Sequence, residues 1–137
     1  PCDIPIVIDT IKEIRGEFPI FGVSLGHELI ALSYGAKTYK LKFGHRGTNH
    51  PVRNLKTGKV EIVSQNHGYC VDADSLSSTP LEITHTNIMD GTVEGISCDK
   101  DNIFSVSYIP SSFPGNQDSR YLFDQFISNM KEAQKNA

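Results

Sequence analysis

Residues 18–30 read FPIFGVSLGHELI, an apolar run that closes on a glycine-flanked turn and reopens as an amphipathic helix. Pro19 to Val23 is short and wholly apolar, the pattern of a strand buried on both faces in a parallel sheet. Gly22 and Gly26 allow a sharp reversal, so Ser24 stands at the apex while the following helix aims backbone N–H groups at it. A nucleophile would sit at such an apex. Beyond it, Leu25, Leu29 and Leu32 are expected to face inward, and Gly35 supplies a left-handed helix cap.

Working outward, Ile4, Val7, Ile8, Ile11 and Ile14 recur at spacings of three and four, which predicts a helix that stops near Gly16. Together with the apex this makes an α-β-α unit. From Ala36 onward the pattern changes to short alternating segments: KTYKLKF, KVEIVSQ, GYCVD, LEITHTN, TVEGISC and NIFSVSYI. Turn residues separate them, so the middle of the chain is predominantly β. A last helix over about 119–133 should present Tyr121, Leu122, Phe126, Ile127 and Met130 to the core. No repeat, low-complexity tract or long linker divides the chain, and residues 1–137 read as one domain.

The 137 residues are 38% hydrophobic and 21% charged, enough to bury a core. A net charge of −3 argues against a nucleic-acid surface, which needs a clustered basic face. The alternating Lys37 to Lys42 stretch reads as a solvated strand face. No apolar stretch approaches the ~20 residues that span a bilayer, and PCDIPIVIDTIKEIRG lacks the basic start of a signal peptide. Neither nucleic acid nor membrane is an expected partner, and a cytoplasmic location follows. Cys2, Cys70 and Cys98 show no CxxC pairing, so free thiols are expected rather than disulfides or a zinc site.

As chemistry, Gly22-Val23-Ser24-Leu25-Gly26 fits the G-x-S-x-G elbow of serine hydrolases. Such an enzyme also needs a late histidine and an oxyanion loop, and no histidine follows His85. The five histidines, at 27, 45, 50, 67 and 85, include no pair with a second ligand type at a metal-binding spacing, so structural roles are expected and no metal. His45 and His50 fall in polar, turn-rich stretches. His27 lies one turn from Ser24, beside the hydroxyl rather than in line to accept its proton, and is not assigned as a base. Residues 64–69, SQNHGY, read as a polar turn between strands. It is either a hairpin with unusual backbone angles at Asn66 and Gly68 or a ligand-contacting loop.

Four stretches in order, PIFGVSLGHELIALSYGAKTYKLKFGHRGTNHPV, VSQNHGYCVD, DGTVEGI and FSVSYIPSSFPGNQDSRYLFDQF, together resemble the glutamine amidotransferase domain of the carbamoyl-phosphate synthetase small subunit. This is a class I, triad-type amidotransferase, and the likeness covers nearly the whole chain. It implies an α/β fold with a flavodoxin-like sheet flanked by helices. The family's first strands and a glycine-rich oxyanion loop precede the segment aligned with Pro1, so the N-terminal strands of the family domain are expected to be missing here.

In that family a cysteine at the elbow attacks the glutamine side-chain amide, and a histidine and glutamate in a late H-P-E motif activate it. The ammonia released passes to a large subunit, which makes carbamoyl phosphate for pyrimidine and arginine biosynthesis. No cofactor is implied for the glutaminase step. In this chain Ser24 stands at the cysteine, Ile109 at the histidine and Ser111 at the glutamate. Glu28 replaces a pocket-lining glutamine. The resemblance also places Leu25 (through its N–H), Asn66, Gly68 and Tyr69 around the glutamine substrate. A serine hydroxyl is essentially un-ionised without a base, so a domain without glutaminase activity is expected. The alternatives are a working subunit with Ser24 as nucleophile and His27 or His67 as base, or a glutamine-binding module without turnover.

Overall fold

The computed structural model describes residues 1, 3–110 and 120–135. In chain order the elements are α1 (Pro5–Ile14), β1 (Ile20–Val23), α2 (Leu25–Ser33), β2 (Thr38–Asn54), β3 (Val60–Val71), β4 (Glu82–Asn87), β5 (Val93–Cys98), β6 (Ile103–Val106) and α3 (Tyr121–Lys135). Short 3-10 turns follow β3 and β5. The six strands form one sheet in the order β1-β6-β5-β4-β2-β3. β1 and β6 run parallel, and every other neighbouring pair is antiparallel.

Alternation along β6 divides the core. Ile103 joins Ile30 and Ala31 of α2, Val71, Val93 and Ile96, with Ile11 of α1 packed against the group. Phe104, Val106 and Tyr108 point the other way, to Val52, Val63 and Leu122, with Phe126 of α3 alongside. Helices therefore cover both faces, the α/β layering expected. Each inward aliphatic side chain of this kind contributes about 1.5–3 kcal/mol of burial.

Several details differ from the sequence reading. β1 pairs on one side only and its residues are mostly half-buried, because it is the edge strand among the described residues. Leu25 is exposed, and α2 instead buries His27, Glu28, Leu29, Ile30, Ala31 and Ser33. On α3, Leu122 is buried but Tyr121, Ile127 and Met130 stay substantially exposed. The start of the expected helix and Ser111 lie outside the described residues. Gly35 does close α2 with φ of 88°.

The largest correction concerns the two polar stretches. Residues 44–50 and 64–69 are not turns: β2 and β3 run through them as one long hairpin, with His45 opposite His67, Arg46 opposite Asn66 and Gly47 opposite Gln65. Neither Asn66 nor Gly68 has a positive φ. Along β3, Glu61, Val63, Gln65 and His67 are buried and alternate with outward residues. The period of two was there in the chain, but its buried face is polar, which conceals it from a hydrophobicity pattern.

Candidate functional site

The apex forms where the two parallel strands end together. Val23 is paired with Val106, and the Ser24 N–H donates to the Val106 carbonyl at 2.9 Å. Ser24 has φ 54° and ψ −110°, a strained conformation for a residue with a side chain. Such strain typically costs on the order of 1–3 kcal/mol and concentrates at functional sites. The Ser24 carbonyl accepts from the His27 N–H at 3.0 Å, so the same residue is the N-cap of α2, and its hydroxyl makes no capping bond. Gly22 is needed for close approach: a Cβ there would lie 2.5 Å from Ile30 Cδ1 and 3.0 Å from the Gly26 backbone.

Ile109 follows β6 directly. Its N–H donates to the Ser64 carbonyl at 2.9 Å in an isolated antiparallel bridge, which sets the segment after β6 against β3. Asn66, Gly68 and Tyr69 continue along that strand, with Asn66 and Tyr69 exposed and Gly68 half-buried. Ser24 and Ile109 thus lie just past the carboxyl ends of adjacent parallel strands, where open α/β sheets bind ligands. Leu25 begins α2, so its N–H is one of the first-turn donors without an intrahelical acceptor.

No histidine nitrogen bonds the Ser24 hydroxyl among the described residues. His27 is fully buried and shares a hydrogen bond between Nδ1 and Ser105 Oγ at 2.8 Å. Burial pulls its pKa down to about 4, so the ring is neutral near pH 7. His67 contacts the Tyr69 carbonyl and Gln65 Oε1, His85 contacts Thr84 and Tyr121, and His50 contacts the Arg46 carbonyl. Glu28 is buried, and burial pushes its carboxyl up to about 7 against the opposing pull of the Pro1 amino group.

Two buried carboxylates escaped the sequence reading. Glu94 on β5 lies 3.2 Å from His45 Nδ1, whose Nε2 is 2.7 Å from Asp90. The Glu94 carboxylate beside Nδ1, more than offsetting burial, leads a set of contacts that holds His45 protonated up to about 9. Burial opposes ionisation of Glu94 itself, but the adjacent His45 ring and the hydrogen bond from Ser107 bring its pKa below the usual carboxylate range. His45, His67 and Glu94 bring ligand-type atoms within 4.8 Å of one another. They come from three strands, so no local spacing could have announced them. Glu61 accepts from Tyr121 at 2.7 Å and from Asn54 at 3.3 Å, and lies 3.6 Å from His85 Nε2.

A layered α/β domain with a strained strand-to-helix apex beside the end of a parallel neighbour is an elbow-type framework, the class that presents one side chain to a ligand over a helix N-terminus. The family profile of class-I glutamine amidotransferases matches residues 1–129. The chain belongs to the class-I glutamine amidotransferase family. It is 54% identical over 132 residues to a carbamoyl phosphate synthase small chain of Staphylococcus epidermidis, and 52% identical over 135 residues to that of Bacillus caldolyticus. A pyrimidine-specific small chain of Lactiplantibacillus plantarum is 52% identical over 130 residues. These alignments cover 95–98% of this chain but only 36–37% of the relatives, so the chain spans about a third of their length. Among solved structures, a Thermotoga maritima glutamine amidotransferase superposes with a TM-score of 0.65 at 17% identity, covering 97% of this chain and 56% of that one. A GMP synthase subunit protein of Thermoplasma acidophilum gives 0.78 at 20%, covering 94% and 64%. Both likenesses concern the fold alone. Among the described residues no helix is long and apolar enough to cross a membrane.

Proposed function

We propose that this chain is a cytoplasmic amidotransferase domain of a carbamoyl-phosphate synthase small chain in which glutamine hydrolysis does not take place. In this reading Ser24, Ile109 and Ser111 occupy the positions of the nucleophile, base and orienting carboxylate. The observation that carries it is the apex itself: the strained backbone at Ser24 is present, and among the described residues no histidine is bonded to its hydroxyl. Isoleucine can neither accept nor relay a proton. Losing the base of a triad alone costs roughly a million-fold in turnover where it has been dissected, and a serine needs that base more than a cysteine does.

Residues 1–137 act as one unit that docks on a large subunit, and Asn66, Gly68 and Tyr69 form the wall that glutamine would meet. Supporting this is the exposure of Asn66 and Tyr69 on the strand that is bridged to Ile109. Ammonia release from glutamine, measured with and without a large subunit, should stay at background and be unchanged by Ser24→Ala. Release that Ser24→Ala abolishes would instead establish a serine glutaminase. An electrophilic glutamine analogue should leave Ser24 unmodified while labelling the thiol of a Ser24→Cys variant.

A further inference from the structure

We propose that Glu94 is a positioning residue that braces the two walls of the site, the Gln65–Tyr69 stretch of β3 and the Ser107–Ile109 segment after β6, through hydrogen bonds to both. Glu94 is fully buried on β5. One carboxylate oxygen, Oε2, accepts from Gln65 Nε2 at 2.9 Å and from Ser107 Oγ at 2.6 Å. A single atom therefore ties the two segments together.

Each tie continues to the site. From Gln65, Oε1 lies 2.6 Å from His67 Nε2, and His67 Nδ1 lies 2.9 Å from the Tyr69 carbonyl. The side chains flanking Asn66 and Gly68 are thus held from beneath while those two residues face outward. From Ser107, whose N–H also donates to the Glu94 carbonyl at 2.9 Å, the chain is two residues from Ile109. Ser105, two residues earlier on β6, shares its hydrogen bond with His27 of α2, which extends the connection toward the elbow helix.

The backbone alone does not hold this part of β3. Its pairing with β2 shifts register between Lys40 and His45 and again between Gly47 and His50, which leaves three residue pairs between the irregularities. On its other edge β3 has the one Ser64–Ile109 bridge among the described residues. Where a ladder is interrupted, buried side-chain hydrogen bonds decide how readily the segment opens.

A carboxylate suits the role because both of its oxygens only accept. Ser107 and Gln65 arrive as donors at Oε2, while His45 approaches Oε1, with Asn87 Nδ2 at 3.5 Å and Thr92 Oγ1 at 3.4 Å. An amide would turn an N–H₂ toward one set of these donors. Exchanging the roles, with glutamine at 94 and glutamate at 65, rebuilds the complement: the amide N–H₂ at the Oε2 place donates to position 65 and to the Ser107 hydroxyl, which turns its own proton to the carbonyl of residue 94 at 3.3 Å.

The bracing role extends the reading of β3 as a glutamine-contacting wall and rests on it only for the ligand arm of the test. Amide hydrogen exchange should rise about tenfold or more in Glu94→Gln at residues 65–69 and at 107–109 together, and fall back in the Gln65→Glu/Glu94→Gln double variant. Exchange that changes only along β5, or that the double variant does not recover, overturns the brace. Should Glu94→Gln not fold, Ser107→Ala removes one arm. It should speed exchange across the gap at 65–69 by about threefold or more, and no change there also overturns the proposal. In parallel, L-glutamine titrated calorimetrically should bind the parent chain and bind Glu94→Gln about tenfold more weakly. Equal affinity for both would count against positioning. Failure of the parent to bind L-glutamine would refute the ligand assignment of the wall, while the exchange data still decide the brace.

Discussion

His27 Nδ1 and Ser105 Oγ lie 2.8 Å apart beneath the elbow, so the histidine nearest Ser24 in the chain is engaged with the sheet. Neutral and fully buried, with its pKa lowered from 6.5 to about 4, it stabilises the fold above pH 6.5 and loses that contribution as pH falls toward 4. The amount is on the order of 3 kcal/mol. Glu28 acts oppositely: raised from 4.5 to about 7, its contribution is full below pH 4.5 and disappears as pH rises through 7. The two effects oppose each other between pH 4.5 and 6.5. Urea unfolding of Glu28→Gln should therefore show a steeper acid loss than the parent, and at pH 8 a gain on the order of 2 kcal/mol after allowance for screening.

Above neutrality His45 dominates. Its pKa is raised to about 9, first by the Glu94 carboxylate beside it, so its stabilisation is complete below pH 6.5 and is lost as pH rises through 9. The melting temperature of the parent should fall across that window. In His45→Gln the fall should be flattened and the overall stability lower, because Glu94 is left buried without its charged partner.

The two glycines of the elbow should behave differently. Gly22→Ala puts a Cβ 2.5 Å from Ile30 Cδ1 and against the Gly26 backbone, and should destabilise by about 1–3 kcal/mol. Gly26, already inside α2, has no atom within 4 Å of an added Cβ. Gly26→Ala should be neutral or stabilising by up to about 1 kcal/mol, from helix propensity. Equal losses in both variants, measured by chemical denaturation, would refute this distinction.

Tyr121 lies at the start of α3, part-exposed, yet its hydroxyl donates to Glu61 at 2.7 Å and lies 2.9 Å from His85 Nε2. Tyr121→Phe removes one oxygen and leaves a buried carboxylate short of a donor. The expected loss is about 1.5–3 kcal/mol in urea unfolding, far more than a partly exposed hydroxyl would suggest.

The elbow was legible because everything it needs is local. An apolar run, a small residue at 22 and an amphipathic helix are neighbours in the chain, and α1 followed from spacing in the same way. The polar centre of the β2–β3 hairpin was not legible, because Glu61, Gln65 and His67 look like surface residues until their partners are known. Those partners are Tyr121, Glu94 and the Tyr69 carbonyl, two of them distant in sequence. Leu25, expected to face inward, is exposed while Glu28 is buried for a related reason: which arc of α2 is buried depends on how the helix crosses the sheet.

The identities at 24 and 109 were determined by the sequence alone: an aliphatic side chain at 109 can neither accept nor relay a proton in any fold, whereas what the Ser24 hydroxyl can do depends on its neighbours. Only the tertiary structure decided where each histidine is engaged, which carboxylates are buried and how they are protonated. Desolvation and hydrogen bonding are properties of surroundings, and here those surroundings are assembled from strands far apart in the chain.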